Sequence, residues 1–424
     1  MRKFLLIGGI GIGLLAVVMG IRSFVTHNSI KPPSFVTHNS IKSPTQTALS
    51  TIASCVPYPT QVLTTSPIDL ADLLAIQPLG WVNGQDHILP VDHSGLVTTR
   101  GDRTTNRRVP IYAPADITIN QLTSHVDYRS NGQPYTPFTN YMMTITVCPQ
   151  VHLWLEWLNE LSPDLAKSFA NGTHARDEGP LNDGAKAVND TVKVNLVLKA
   201  GDLIGYAGGP SAPNAAISAF DSRTDPRSDV DWRYYTGGPF PVKNVTCFSD
   251  LYGEPLRTRL TAKYGQYMTQ GTTPVFVPTT NHPACGSVVQ NKVGTLAGDW
   301  FASLPKTEHD DLQSQGKTVS FITHFTDASF GMVSIGGNIV SHPATLTFLV
   351  QHDGTTNRLF NETGVGQVYC YQAEPNQAPR VGVPDTVGQL IAELVDDHHA
   401  RLEFQVGNCR GTIAFTSKAA VYER

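Results

Sequence analysis

Tyr141-Met142-Met143-Thr144-Ile145-Thr146-Val147 and Val192-Lys193-Val194-Asn195-Leu196-Val197-Leu198 decide the fold class. Both runs are free of Gly and Pro and rich in β-branched or other apolar residues, the composition of strands. Outward from them, strand-like runs alternate with turn clusters from about Val56 to Tyr267, and residues 56–267 read as one β unit. Within it, Ser162 to Asp190 is polar and rich in Gly and Asn, the composition of an insertion loop. Gln270 to Pro283, with Thr272, Thr273, Pro274, Pro278, Thr279, Thr280 and Pro283, reads as part of an interdomain linker at 268–283.

Residues 284–424 repeat the pattern at hairpin spacing. Short strands are expected at Thr318–Phe325, Met332–Ile335, Ala344–Val350, Gly366–Tyr371, Gln389–Val395, Arg401–Val406 and Gly411–Thr416. That regularity points to an antiparallel sandwich or barrel. A Gly-x-Trp step at Gly298–Trp300 opens the unit. It is similar to the step that opens lipocalin and avidin barrels, and is read here as a plain core tryptophan. Asp396-Asp397-His398-His399 lies between two strands and reads as a polar hairpin turn.

Composition narrows the partners. The chain has 424 residues, only 16% of them charged, with 36 Gly and 29 Pro. Low charge with many turn formers excludes a coiled coil and a highly charged disordered tail. A net charge of −4 leaves no basic excess for phosphates, so nucleic acid is not an expected partner.

Arg2 and Lys3 precede an uncharged run from Phe4 to Ile21. As a helix it would span roughly 27 Å, close to the hydrocarbon thickness of a bilayer. Val18-Met19-Gly20 matches a cleavage site poorly, so residues 1–22 read as a membrane anchor or signal segment, contacting the membrane through residues 4–21. The following 23–55 is a tether in which Ser23–Lys31 recurs at Ser34–Lys42 around Pro32-Pro33. The rest is expected outside, anchored at the outer face of the cytoplasmic membrane or secreted. Six cysteines without a CxxC pair then favour disulfides, with Cys370 and Cys409 expected to pair.

Three segments resemble the lysostaphin-type zinc endopeptidases, the duplicated hybrid motif family. Val109-Pro110-Ile111-Tyr112-Ala113-Pro114-Ala115-Asp116 is similar to that family's first strand and turn. Lys199-Ala200-Gly201-Asp202-Leu203-Ile204-Gly205-Tyr206-Ala207-Gly208 is similar to its later hairpin, and His93-Ser94-Gly95-Leu96-Val97 to its HxGxD zinc strand. The resemblance covers residues 75–235 and implies a lysostaphin-like β-sheet domain. It also implies three zinc ligands, of which only His93 is present. Val97 stands in the Asp place, and Ile217 and Ala219 stand in the late His-x-His. Gln150-Val151-His152-Leu153 resembles the Tyr-x-His-Leu segment, so His152 would keep an assisting role.

The residues permit a rearranged site as well. His87, Asp92 and His93 fall within seven positions, and strands at Ile88–Val91 and Leu153–Leu155 would place His87, His93 and His152 around one cleft. Three imidazoles and a water would satisfy zinc, with Glu156 or His152 acting on the water. Otherwise these groups only satisfy one another, and no cofactor is needed. Trp154, Trp157, Tyr234 and Tyr235 offer aromatic faces for a ligand.

The expected fold class is therefore mainly β: a lysostaphin-like sheet domain, an antiparallel sandwich or barrel, and an N-terminal transmembrane helix. The expected function is an envelope-anchored, non-catalytic binding or regulatory protein whose partner is a cell-wall polymer or surface ligand. The alternatives are an active zinc-dependent cell-wall endopeptidase and a purely structural surface protein.

Overall fold

The computed structural model describes residues 55, 57–83, 87–98, 108–128, 132–134, 139–180, 186–208, 214–232, 239–270, 273–304, 317–340, 343–373, 388–411 and 413–424. In chain order the first strands are β1 (Ala75–Gln77), β2 (Ser94–Val97), β3 (Val109–Tyr112), β4 (Ile117–Tyr128), β5 (Asn140–Cys148), β6 (Val151–Leu158) and β7 (Glu160–Leu161). Helix α1 (Pro163–Ala170) follows, then β8 (His174–Pro180), β9 (Lys186–Leu198), β10 (Leu203–Ala207), β11 (Asn214–Asp221) and β12 (Val245–Thr246). Helix α2 (Leu256–Thr261) leads to a hairpin of β13 (Gly265–Gln270) and β14 (Thr273–Pro278). The last eight are β15 (Gly298–Phe301), β16 (Thr318–Thr323), β17 (Phe330–Ile335), β18 (Ala344–Leu349), β19 (Val368–Gln372), β20 (Gln389–Leu394), β21 (His399–Gln405) and β22 (Ala420–Glu423).

A nine-stranded sheet runs β1-β2-β11-β6-β5-β4-β9-β8, with β12 beside β11. Strand alternation sends Leu96, Leu122, Met143, Ile145, Leu153, Leu155, Ile217 and Ala219 to one face. They pack with Val109, Ile111, Leu161 and Ile204 of a small sheet, β3-β10-β7. Each fully buried Leu or Ile here contributes about 1.5–3 kcal/mol. Within the small sheet, β10 and β7 lie so close at Gly205 that a Cβ there would sit 2.2 Å from the Glu160 carbonyl oxygen.

The last eight strands form a meander in which β15 pairs with both β16 and β22, leaving β18 and β19 as its ends. These ends lie together without a ladder, so the barrel is nearly closed. The intervening chain laces the seam: the Asn357 N–H donates to the Cys370 carbonyl, and the Gln372 N–H donates to Asn357 Oδ1. Inside, Trp300, Phe321, Phe348, Tyr371, Leu402 and Tyr422 are buried. The outer face near β15–β17 is buried too, where Val82 and Trp81 pack with Ile322, Phe325 and Met332, and Leu89 packs with Phe301.

The structure corrects several expectations. The fold class is mainly β with a nearly closed barrel, and the transmembrane helix is withdrawn from it. Among the described residues no helix is long and apolar enough to cross a membrane. Among the described residues the α-helices α1 and α2 have 8 and 6 residues. The anchor at 1–22 and the tether up to residue 54 lie outside the described residues.

The insertion loop instead holds α1, with Pro163 in its first turn, and β8, which pairs along β9. The linker holds the β13–β14 hairpin, whose prolines sit in a two-stranded ribbon where a missing N–H is tolerated. Ile413–Thr416 is not a strand; the Thr416 N–H and hydroxyl donate to the Glu403 carboxylate, and β22 completes the barrel.

All six cysteines are bonded, as Cys55–Cys148, Cys247–Cys285 and Cys370–Cys409. Three disulfides suit an oxidising, extracellular environment and are compatible with export.

Candidate functional site

The sheet face opposite the core carries the candidate residues. Register fixes its membership: Glu156 stands across from Ala216, which stands across from Gly95, while Trp154 faces Ser218 and His152 faces Phe220. Two residues beyond Gly95, His93 projects onto this same face.

The loop before β2 supplies the second histidine. It folds back on itself: the Val91 N–H donates to the Trp81 carbonyl, and the Gly80 N–H to that of Val91. The His87 N–H donates to Asn83 Oδ1. Ile88–Val91 is therefore a turn with Pro90 in it, not the expected strand. The fold-back stacks three rings edge to face, with centroids 4.7 Å apart for Trp81–His87, 5.6 Å for His87–His93 and 6.0 Å for Trp81–His93.

His93 Nδ1 lies 3.6 Å from both Asp92 Oδ1 and Glu156 Oε2, close enough for charge attraction and too far for a hydrogen bond. Burial opposes a charged His93, but Asp92 beside it and the Glu156 charge hold its pKa above the ordinary value. Burial pushes the Glu156 carboxyl up to about 7 against the pull of His93. Burial, then the neighbouring His93, push His87 down to about 3. Glu156 Oε2, Ser218 Oγ and Trp81 Nε1 are buried without a hydrogen-bond partner.

His152 is not brought into this group. It is four residues from Glu156 along β6, roughly 13 Å in an extended strand. Its ring stacks on Phe240 at 4.6 Å, its Nδ1 lies 3.3 Å from Thr146 Oγ1, and burial lowers its pKa. Among the described residues no three His, Cys, Asp or Glu side chains are grouped so as to hold a metal ion. Ile217 and Ala219, the late His-x-His positions, point into the core, away from His93. Val97 is on β2, across from Asn214.

Trp154 and Trp157 are half-buried on β6. Trp157 has a φ of 64° at an irregularity of the β5–β6 ladder, and its ring meets that of His125 at 6.1 Å. Tyr234 and Tyr235 lie outside the described residues.

Sequence reasoning missed the polar group around His125. Its Nε2 is 3.0 Å from Asp127 Oδ1 and its Nδ1 2.8 Å from Asn189 Oδ1. An acceptor on each ring nitrogen favours the imidazolium; burial opposes it, but these bonds raise the pKa. The hydroxyls of Thr123 and Thr191 are 3.1 Å apart beside it. The signal was present in β4, where Gln121, Thr123, His125 and Asp127 alternate with other residues on one face.

Compared with protein-family models, curated proteins and solved structures, the chain has no match.

Proposed function

We propose that this is a non-catalytic, exported binding protein for a cell-wall polymer or a comparable surface ligand, built on a scaffold degenerate from the lysostaphin type. The observation that carries it is the state of the residual ligand-type side chains. His93, buried, meets His87, Asp92 and the buried Glu156, His152 is stacked elsewhere, and the places for further ligands hold Val97, Ile217 and Ala219. With Ile217 and Ala219 on the core face, even histidines there would not meet His93. Strand order supports the scaffold part: the two hairpin segments pair as β3 with β10, and β11 separates β2 from β6.

Binding falls to the half-buried Trp154 and Trp157 with the His125 group beside them. Indole faces stack on sugar rings or peptide planes, while the half-buried Thr191 and Asn189 present groups that hydrogen-bond a polar polymer. The test is co-sedimentation of the full chain with purified cell-wall sacculi. Retention without release of soluble fragments is expected, with a severalfold loss in Trp157→Ala. Release of fragments that requires zinc and is lost in His93→Ala would establish the endopeptidase instead. No retention would favour a structural protein.

A further inference from the structure

The barrel holds a second candidate site, unrelated to the sheet face. A half-enclosed cavity of about 140 Å³ opens beside β16, with Ala297, Phe321 and Phe360 on its apolar side and Gln290, Lys292 and Thr323 on its polar side. A cavity near 150 Å³ lined by apolar side chains accommodates one benzene ring.

The polar side presents donors. Lys292 Nζ donates to the Asn361 carbonyl at 3.0 Å, and no carboxylate pairs with it among the described residues. Gln290 Oε1 accepts the Thr323 N–H at 2.8 Å, which fixes the amide and leaves its NH2 group as donor. A cation and an amide donor over an apolar floor match a carboxylate with a short apolar tail.

The turn that carries Lys292 is held in place. The Arg424 guanidinium lies 4.2 Å over the Trp300 ring and donates to the carbonyls of Lys292 and Ala297 at 3.0 and 2.9 Å. The Lys292 N–H donates to the Ala297 carbonyl, and the Thr295 hydroxyl to that of Lys292. Little ordering therefore remains to be done when a ligand arrives.

We infer that this cavity binds a small monocarboxylate with a single ring or short branched tail. The tail lies against Leu359 and the edge of Phe360, and the carboxylate meets Lys292 Nζ and the Gln290 amide. The site is separate from wall retention and does not depend on it.

Benzoate is the probe, titrated into the full chain by calorimetry and followed by the fluorine signal of 4-fluorobenzoate. One site per chain is expected, with a Kd of about 0.1–1 mM for a ligand of this size. Lys292 is exposed, so its replacement tests the charge without disturbing the core. Lys292→Met weakens binding about five- to tenfold, and Lys292→Arg restores most of it. Benzyl alcohol, which keeps the ring and loses the charge, binds about as weakly as benzoate binds Lys292→Met. Retention on sacculi is unchanged in Lys292→Met. Absence of saturable benzoate binding, or equal affinity in wild type and Lys292→Met, overturns the inference.

Discussion

Two polar groups share one face of the nine-stranded sheet and have opposite characters. Around His125 every ring nitrogen has an acceptor at hydrogen-bond distance, and the neighbouring Trp157 keeps part of its surface in solvent. Around His93 the nearest carboxylate oxygens stand off at 3.6 Å, Glu156 Oε2 has no hydrogen bond, and both His93 and Glu156 are buried. The first group is hydrogen-bonded and edged by the part-exposed Trp157; the second holds its charges at stand-off distance with Glu156 Oε2 unpartnered. A surface that binds needs the former. The latter is a charge cluster packed beneath the rings of Trp81 and His87.

Substitutions sharpen this contrast. The largest effect is expected from His93→Ala, which leaves Glu156 without its cationic neighbour and costs about 2–3 kcal/mol in denaturant unfolding at pH 7. An effect near zero would show that Glu156 is protonated throughout and the pair contributes nothing.

Glu156→Gln acts in the other direction. Its carboxyl is raised to about 7, so the stability it contributes is present below the unfolded value near 4.5 and lost as pH rises through 7. The variant should gain about 1–2 kcal/mol at pH 8 and little at pH 5, read from paired denaturation curves. His87 has the opposite sign, with a folded value near 3: its stability is present above 6.5 and declines as pH falls. Between pH 7 and pH 5 the wild type loses about 1–2 kcal/mol from this ring, a loss absent in His87→Phe. His125→Ala removes two hydrogen bonds from a part-buried ring and should cost about 1 kcal/mol while reducing retention on sacculi.

The strand-rich character was legible in residues such as Tyr141–Val147, because alternation and β-branching are local properties. Most barrel strands were legible for the same reason. The β13–β14 hairpin was hidden by its prolines, which signal a linker until the partner strand is known. The anchor reading rested on residues 4–21, and the described helices offer no membrane span.

In the site, the sequence placed His87, His93 and Asp92 together because they are close in the chain. It could not show that Ile217 and Ala219 face the core, since a one-residue change of register exchanges the faces of a strand. Nor could it join His125 to Asn189, 64 residues apart, because that pairing exists only in the β4–β9 ladder.

The most direct test of a metal-independent binding surface is retention of the full chain on purified sacculi in excess chelator and in excess zinc. Equal bound fractions in both, with no soluble fragments released, are predicted. Retention or fragment release that appears only with zinc would contradict the account.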